Sequence, residues 1–343
     1  MKHFALYDVD LTLFGSVPDP NTQTTTSADL APENKTFWDR ALIVLTGPEL
    51  VHDQFAQQRD IPAGGGKTIE FRQFDPLPEI STPLVEGVTP DGQSLSVSAS
   101  TATVSQYGGY VTTSDVLDMT ALDPVVNEAT KLIARQAGET LDTITRDVIN
   151  AGTNVMYALG KTSGVPNAAP PASRSAVAYV DADTNHNLTV EDIKRAVRTL
   201  KRQNAPKIRG DYVAIIHPDV AFDLMRDPEW LAPKQYVDTQ DLYAGEIGKL
   251  YGVRFVENTR AKTFTVGTGS SAKTVYSTLI IGDDAYGTTK VAGGGLQHIV
   301  KPLGSGGTSD PLDQRSTVGW KATKAAKILV QQYMVRIESS ATP

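Results

Sequence analysis

Residues Asp8-Val9-Asp10-Leu11-Thr12 set two carboxylates and a hydroxyl within five positions, directly after an apolar run. Those are residue types of phosphoryl transfer and acid–base work. A second acidic set lies in DADTNHNLTVED. Asp181, Asp183, Asn185 and Asn187 fall on positions 1, 3, 5 and 7 of a calcium loop, with Asp192 on position 12. His186, however, stands where such a loop turns on glycine, and Asp192 replaces the bidentate Glu. An Asx-rich loop leading into a capped helix is the simpler expectation. AGGGKTIEF (Ala63 to Phe71) ends like a phosphate-binding loop. The full pattern needs Gly where Ile61 stands, and a strand before and a helix after it. Here a strand pattern follows, which predicts a glycine turn. Arg209-Gly210-Asp211 matches an adhesion tripeptide but precedes a core strand, so a plain turn is expected. The histidines (His3, His52, His186, His217, His298) are scattered and form no H-x-x-x-H or H-E-x-x-H pair. With no cysteine there is no disulfide or thiolate. No catalytic, cofactor-binding or metal-ligating residue is expected.

The spacing at Asp8 and Asp10 resembles the first motif of the haloacid-dehalogenase phosphohydrolases. That resemblance implies Asp8 as nucleophile and Asp10 as acid/base. Gly282-Asp283-Asp284, after the apolar STLII, would stand for the family's late Mg²⁺-binding motif. Such a site needs an alternating parallel sheet whose loops converge at one edge. The residues after Asp10 instead predict a polar arm, one helix and a β-arm, so an enzyme is not expected.

Composition bounds little more. The 343 residues can bury one large core or two ordinary ones, and 40% hydrophobic with 21% charged residues fits a globular chain. No apolar run reaches membrane-spanning length, and the N-terminal residues make a poor signal peptide. The net charge of −7 gives no global attraction to nucleic acid, though a local basic patch remains compatible with it.

Residues 15–36 are rich in Pro, Thr, Ser and Asn and read as an extended arm. A helix is predicted at Phe37 to Leu45, and a short amphipathic piece from Glu49 to Gln57. Between Lys67 and Thr113 apolar and small hydroxyl residues alternate, which predicts strands. The proline-rich PLPEISTPLVEGVTPDG lies between them. Residues 58–108 therefore read as a long β-hairpin with a loose tip, marginal alone and expected to lie on a partner. Asp123 as N-cap and Pro124 at the first turn open a long helix. Val125, Val126, Ala129, Leu132, Ile133, Ala137, Leu141, Ile144 and Val148 supply its apolar stripe, and Gly152 its expected stop. At about 40 Å it would be a spine. Residues 161–188 read as an inserted loop. Thr189 and Asp192 form a capping box for a helix that buries Ile193, Val197 and Leu200. Tyr212 to Ile216 reads as a buried strand, with a helix after His217-Pro218. GVRFVEN, KTVYSTLIIGDDA, LQHIVK and STVGWKATKAAKILVQQYMVRIES read as further strands. Helices and strands mix without strict alternation, so the fold class is α+β.

Several long stretches carry a resemblance to a known family. They include LVHDQFAQQRDIPAGGGKTIEFRQFDPL, TPLVEGVTPDGQSLSVSASTATVSQYGGYVTTSDVLD, LTVEDIKRAVRTLKRQNA, YVAIIHPDVAFDLMRDPEWL and GEIGKLYGVRFVE. In order, from about Thr24 to Glu338, the chain resembles the N4-like major capsid proteins of tailed bacteriophages. Residues 1–23 and the stretch around 161–187 fall outside the likeness. It implies an HK97-like phage capsid fold. Residues 1–57 would be the N-terminal arm and short helices, and 58–108 the extended loop over a neighbouring subunit. Residues 109–160 would form the peripheral domain with the spine helix, 161–188 an insertion loop, 189–300 the axial domain, and 301–343 the peripheral domain's closing strands. The implied function is a structural coat protein whose hexamers and pentamers form an icosahedral shell around double-stranded DNA. It would be made in the bacterial host cytoplasm and end in the virion capsid. Implied partners are portal, scaffolding and decoration proteins, with non-specific proximity to packaged DNA and no membrane. The alternatives are a non-viral encapsulating shell of the same fold and the phosphohydrolase using Asp8 and Asp10. Residues 4–14 are expected to contact a neighbouring subunit.

Overall fold

The computed structural model describes residues 51–116, 125–162, 165–167, 169–178, 184–230, 246–269, 272–307 and 310–342. Asp8 and Asp10, the arm, the helix expected at Phe37 to Leu45, the caps Asp123 and Pro124, and Asp181 and Asp183 lie outside them. The chain divides into two compact units.

The first unit holds, among the described residues, parts of Tyr107–Ala137 and Leu296–Ala322. Strand Gln297–Lys301 runs antiparallel to residues 317–321 of strand Arg315–Ile328, and strand Ser105–Ser114 also pairs with Arg315–Ile328. Trp320 is buried here, and its indole N–H donates to Gln136 Oε1 at 3.2 Å. Ala129, Ile133, Ala134 and Ala137 supply the buried stripe of the first half of helix Val125–Ile149. Leu132, expected in that stripe, is exposed instead.

The second unit is built on a seven-stranded sheet. Its order is Glu246–Leu250, Val253–Glu257, Tyr212–Ile216, Lys273–Ile281, Met334–Ser339 and Val155–Tyr157, with Thr263–Val266 paired to Lys273–Ile281. Val253–Glu257 is parallel to Tyr212–Ile216, whereas Lys273–Ile281 is antiparallel to both Tyr212–Ile216 and Met334–Ser339. The period-2 alternation of a strand explains why Tyr212–Ile216 is apolar throughout. Tyr212, Ala214 and Ile216 pack with Ile193, Leu200 and Leu224 of helices Val190–Arg202 and Pro218–Met225. Ile215 points the other way, into a cluster with Ile149, Leu279, Ile281 and Tyr286. Both faces are covered, so neither needs polar residues.

The hairpin belongs to this second unit. Thr68–Phe74 and Val97–Thr103 pair antiparallel from Thr68↔Thr103 to Phe74↔Val97. At its root Phe71 and Ala102 bury against Ile61, Val104 and Ala325. A Cβ added at Gly287 would lie 3.0 Å from the Phe71 ring, so glycine there makes room for this anchor. Strand Tyr286–Thr289 pairs with residues 325–328 on one side and with Gln57–Gln58 on the other.

Two sequence expectations are corrected. The stretch expected as an amphipathic piece ending at Gln57 forms turns over residues 52–55 and a short strand, Gln57–Gln58. The His52 amide donates to the Asp142 carboxylate, not to a helical carbonyl. Residues 161–188 are not a bare loop: Lys161–Thr162 pairs with Val165–Pro166 and Thr184–Asn185, and Arg174–Ala178 is helical. Gly160, at φ +66°, makes the close approach to Asn185, where an added Cβ would fall 1.8 Å from the carbonyl oxygen. The long helix ends at Ile149, short of Gly152 as expected, and the Asn150 side chain donates to the Arg146 carbonyl. The two C-terminal strands, Arg315–Ile328 and Met334–Ser339, lie in different sheets. Met334–Ser339 lies inside the seven-stranded sheet, because Val335 and Ile337 complete the core formed with Ile280. Among the described residues no helix is long and apolar enough to cross a membrane.

Candidate functional site

Two features of the second unit concentrate what the sequence could use. The first is the segment joining the hairpin strands. Phe74, Leu77, Ile80, Leu84, Val85, Val88, Leu95 and Val97 are all exposed, Leu84 at 75% and Ile80 at 72%. Residues 74–97 also carry Asp75, Glu79, Glu86 and Asp91, four prolines and no cation. Prolines remove backbone donors and forbid a compact element, so these side chains have no core of their own to enter. Ser96 and Ser98 hydroxyls donate to the Asp75 carboxylate at 2.7 and 2.9 Å, tying off the strand ends. A concentration of large apolar groups left in water is the mark of an interaction surface.

The second feature is buried. His52 and Asp142 are both fully buried, with His52 Nδ1 2.8 Å from Asp142 Oδ2 and the His52 amide donating to Asp142 Oδ1 at 2.9 Å. Lys324 Nζ donates to the Leu141 carbonyl at 2.9 Å and to the Asp53 carboxylate. The Thr145 hydroxyl donates to Asp53 Oδ1 at 2.6 Å, and the Tyr286 hydroxyl to the His52 carbonyl. Burial alone would raise the Asp142 carboxyl. The bonds from His52 and the Lys324 charge outweigh it and hold the group below the usual carboxylate range. Burial lowers the Lys324 ammonium against the opposing pull of Asp53 and Asp142, and pushes the Tyr286 phenol well up. With His52 and Asp142 closed to solvent, the cluster is a structural tie between residues 52–53, the long helix, strand Tyr286–Thr289 and residue 324. The scattered histidines concealed it. The readable signal was Asp142 and Thr145, two polar residues three apart on the buried stripe of an amphipathic helix.

The residues singled out by motif are placed otherwise. Asp192 accepts from the Leu159 amide at 2.9 Å and from the Thr189 hydroxyl at 2.7 Å, and pairs with Arg195 at 3.2 Å. Its oxygens are committed to the capping box and to residue 159, which disfavours a role as a calcium-loop ligand. His186 and Asn187 are tied to Ser340, and Asn185 lies in a short strand. Replacing Asp192 with alanine is expected to strip the buried Leu159 amide and the cap together. Chemical denaturation should show a loss of about 2 kcal/mol, unchanged by millimolar Ca²⁺. Asp211 of the Arg-Gly-Asp stretch is buried and paired with Lys249 at 2.7 Å and Arg254 at 3.1 Å, closed to adhesion. Gly64 and Gly66 have φ of +83° and +84° in a turn before strand Thr68–Phe74, the turn expected there in place of a phosphate loop. Asp283 and Asp284 form the turn between Lys273–Ile281 and Tyr286–Thr289. Among the described residues no three His, Cys, Asp or Glu side chains are grouped to hold a metal ion.

The family model described as "Phage capsid protein" matches residues 98–336, well over half of the chain. The chain belongs to the phage capsid protein family. Solved structures agree with this capsid protein in fold. The capsid of Ralstonia phage GP4 superposes with a TM-score of 0.63 at 13% identity, covering 96% of this chain and 98% of that one. The capsid of cyanophage P-SCSP1u gives 0.61 at 14%, covering 84% and 87%, and that of cyanophage Pam1 gives 0.60 at 15%, covering 99% of each. No curated protein matches. The α+β architecture is thus the HK97-like capsid fold, and the capsid protein is a major shell subunit of a tailed phage. Its place is the virion capsid.

Proposed function

We propose that many copies of this protein, as hexamers and pentamers, close an icosahedral head around double-stranded DNA, and that the hairpin is its principal assembly element. The observation that carries this is the row of exposed apolar side chains from Phe74 to Val97 on a capsid-family chain. Laid on a neighbouring subunit, they would leave water, and each buried methylene would contribute about 0.8 kcal/mol. Residues 58–108 would be the extended loop, 109–160 the spine-bearing peripheral part, and 189–300 most of the axial part. Met334–Ser339 adds a strand to that last part. The long stretches between Thr24 and Glu338 support the N4-like type. The protein performs no catalysis in this reading. It is made in the host cytoplasm, and portal, scaffolding and decoration proteins complete the head.

Expression of the chain with its phage scaffolding protein should give closed shells tens of nanometres across by electron microscopy. The chain alone should give aberrant or open assemblies. Uniform native-size shells from the chain alone would remove the scaffolding requirement, and a persistent monomer under both conditions would remove the shell reading.

A further inference from the structure

Residues 193–210 (IKRAVRTLKRQNAPKIRG) hold seven cations and no acid, in a chain whose net charge is −7. Lys194 and Arg195 are engaged by Glu229 and Asp192. Arg198, Lys201, Arg202, Lys207 and Arg209 are exposed and form no salt bridge among the described residues, the Lys207 ammonium lying 5.7 Å from the Tyr212 ring centroid. Arg198, Lys201 and Arg202, at spacings of three and four, share one outward face of helix Val190–Arg202 while Ile193, Val197 and Leu200 fill the core. Lys207 and Arg209 follow in the connection to strand Tyr212–Ile216. Asp211, which ends the run, is buried and already balanced by Lys249 and Arg254. Asp283 and Asp284 border the patch on one side, where the Asp283 amide donates to the Pro206 carbonyl. The helix dipole accounts for cations in the last turn, Lys201 and Arg202, but not for Arg198, Lys207 or Arg209.

We infer that this patch binds the phosphate backbone of double-stranded DNA, without reading its sequence. The inference rests on the shell reading above. Two partners fit a cationic surface here, and the chemistry separates them. The acidic hairpin of a second copy carries twice as many large apolar groups as carboxylates, so it needs an apolar seat. The patch offers five exposed guanidinium and ammonium groups, with Pro206 exposed and Ile208 part-buried among them. A phosphate backbone needs cations alone. Against an overall acidic subunit, a few phosphate contacts per copy give attachment that is weak and steeply salt-dependent, so the DNA is ordered but released.

The test uses the full chain, a fluorescent 20-base-pair duplex and anisotropy from 25 to 200 mM salt, a range that shortens the screening length about threefold. Arg198→Gln/Lys201→Gln/Arg202→Gln keeps good helix formers on an exposed face, and circular dichroism verifies the fold. Its affinity at low salt should fall at least about 10-fold, and the slope of log K against log salt should shrink by about 2.7, three phosphate contacts. A control with as many exposed cations removed elsewhere, Lys67→Gln/Lys273→Gln/Lys321→Gln, should bind almost as tightly as the original. Equal losses in both triples would overturn the patch in favour of diffuse charge. Unchanged affinity and slope in the first triple, with particles still formed, would sink the inference and leave the shell reading standing. Loss of particles with DNA affinity unchanged would reassign the patch to a second copy. A chain that binds DNA through these residues but never forms particles would fail the shell reading instead.

Discussion

Asp142→Ala is expected to destabilise the second unit by about 3–5 kcal/mol, the range for breaking one partner of a buried ionic network. The change leaves the His52 amide and imidazole without their acceptor, both fully buried, and removes a charge that helps hold Lys324 in the interior. Urea unfolding followed by circular dichroism measures it. A loss under 1 kcal/mol would mean that the cluster is incidental. Because the partners were selected to satisfy one another, the double change His52→Phe/Asp142→Leu should cost less than Asp142→Ala alone. The pH dependence has a definite sign. The folded Asp142 carboxyl lies below its usual value, so its contribution is present above about pH 4, where an unfolded aspartate ionises. It is lost as pH falls through the depressed folded value. Asp147 and Asp211 are also lowered. Burial opposes this in both, but Lys262 and Arg146 outweigh it at Asp147, and Lys249 and Arg254 at Asp211. The original protein should therefore lose stability below about pH 4, and Asp142→Ala should show a shallower acid slope.

Ile80→Asp/Leu84→Asp/Val88→Asp is expected to abolish shell formation while leaving the subunit's melting temperature within about 1 °C of the original. These side chains are exposed, and none belongs to the cluster that anchors the hairpin at Phe71 and Ala102, so the folded subunit loses nothing. An interface that had to bury three added carboxylates would lose the apolar transfer energy and meet desolvation besides. Sedimentation velocity distinguishes shells from small oligomers. Normal shells from this variant would show that the segment remains in solvent in the particle. A lowered melting temperature would show that it packs on its own subunit.

The two outcomes differ because the segments differ in kind. The hairpin was legible in the sequence. Alternation at Ile69 and Phe71 and the four prolines beyond Phe74 describe paired strands and a tip that cannot fold back, whatever surrounds them. The same is true of helix Val190–Arg202, where Thr189 and Asp192 form the capping box that local spacing predicts. The buried strand Tyr212–Ile216, with nothing polar on either face, was equally plain. Local hydrogen bonds and periodicity decide such elements, and both are written within a few residues. The buried cluster was not legible as a cluster. His52 and Asp142 stand 90 positions apart, and Lys324 lies 271 from Asp53. Asp142, on the buried stripe of its helix, signals a buried polar partner, but nothing local names His52, Asp53 or Lys324 as its companions.

What the sequence by itself determined was therefore the family, the element types and the apolar acidic tip, because long ordered stretches and short-range periodicity carry that information. Tertiary structure alone decided three things. Met334–Ser339 entered the seven-stranded sheet because Val335 and Ile337 fill its core. Residues 161–185 acquired strands because Gly160 admits the Asn185 backbone. Asp211 became a buried carboxylate paired with Lys249 and Arg254, about forty positions on. In each case the deciding energy is burial against residues distant in the chain, which no local pattern records.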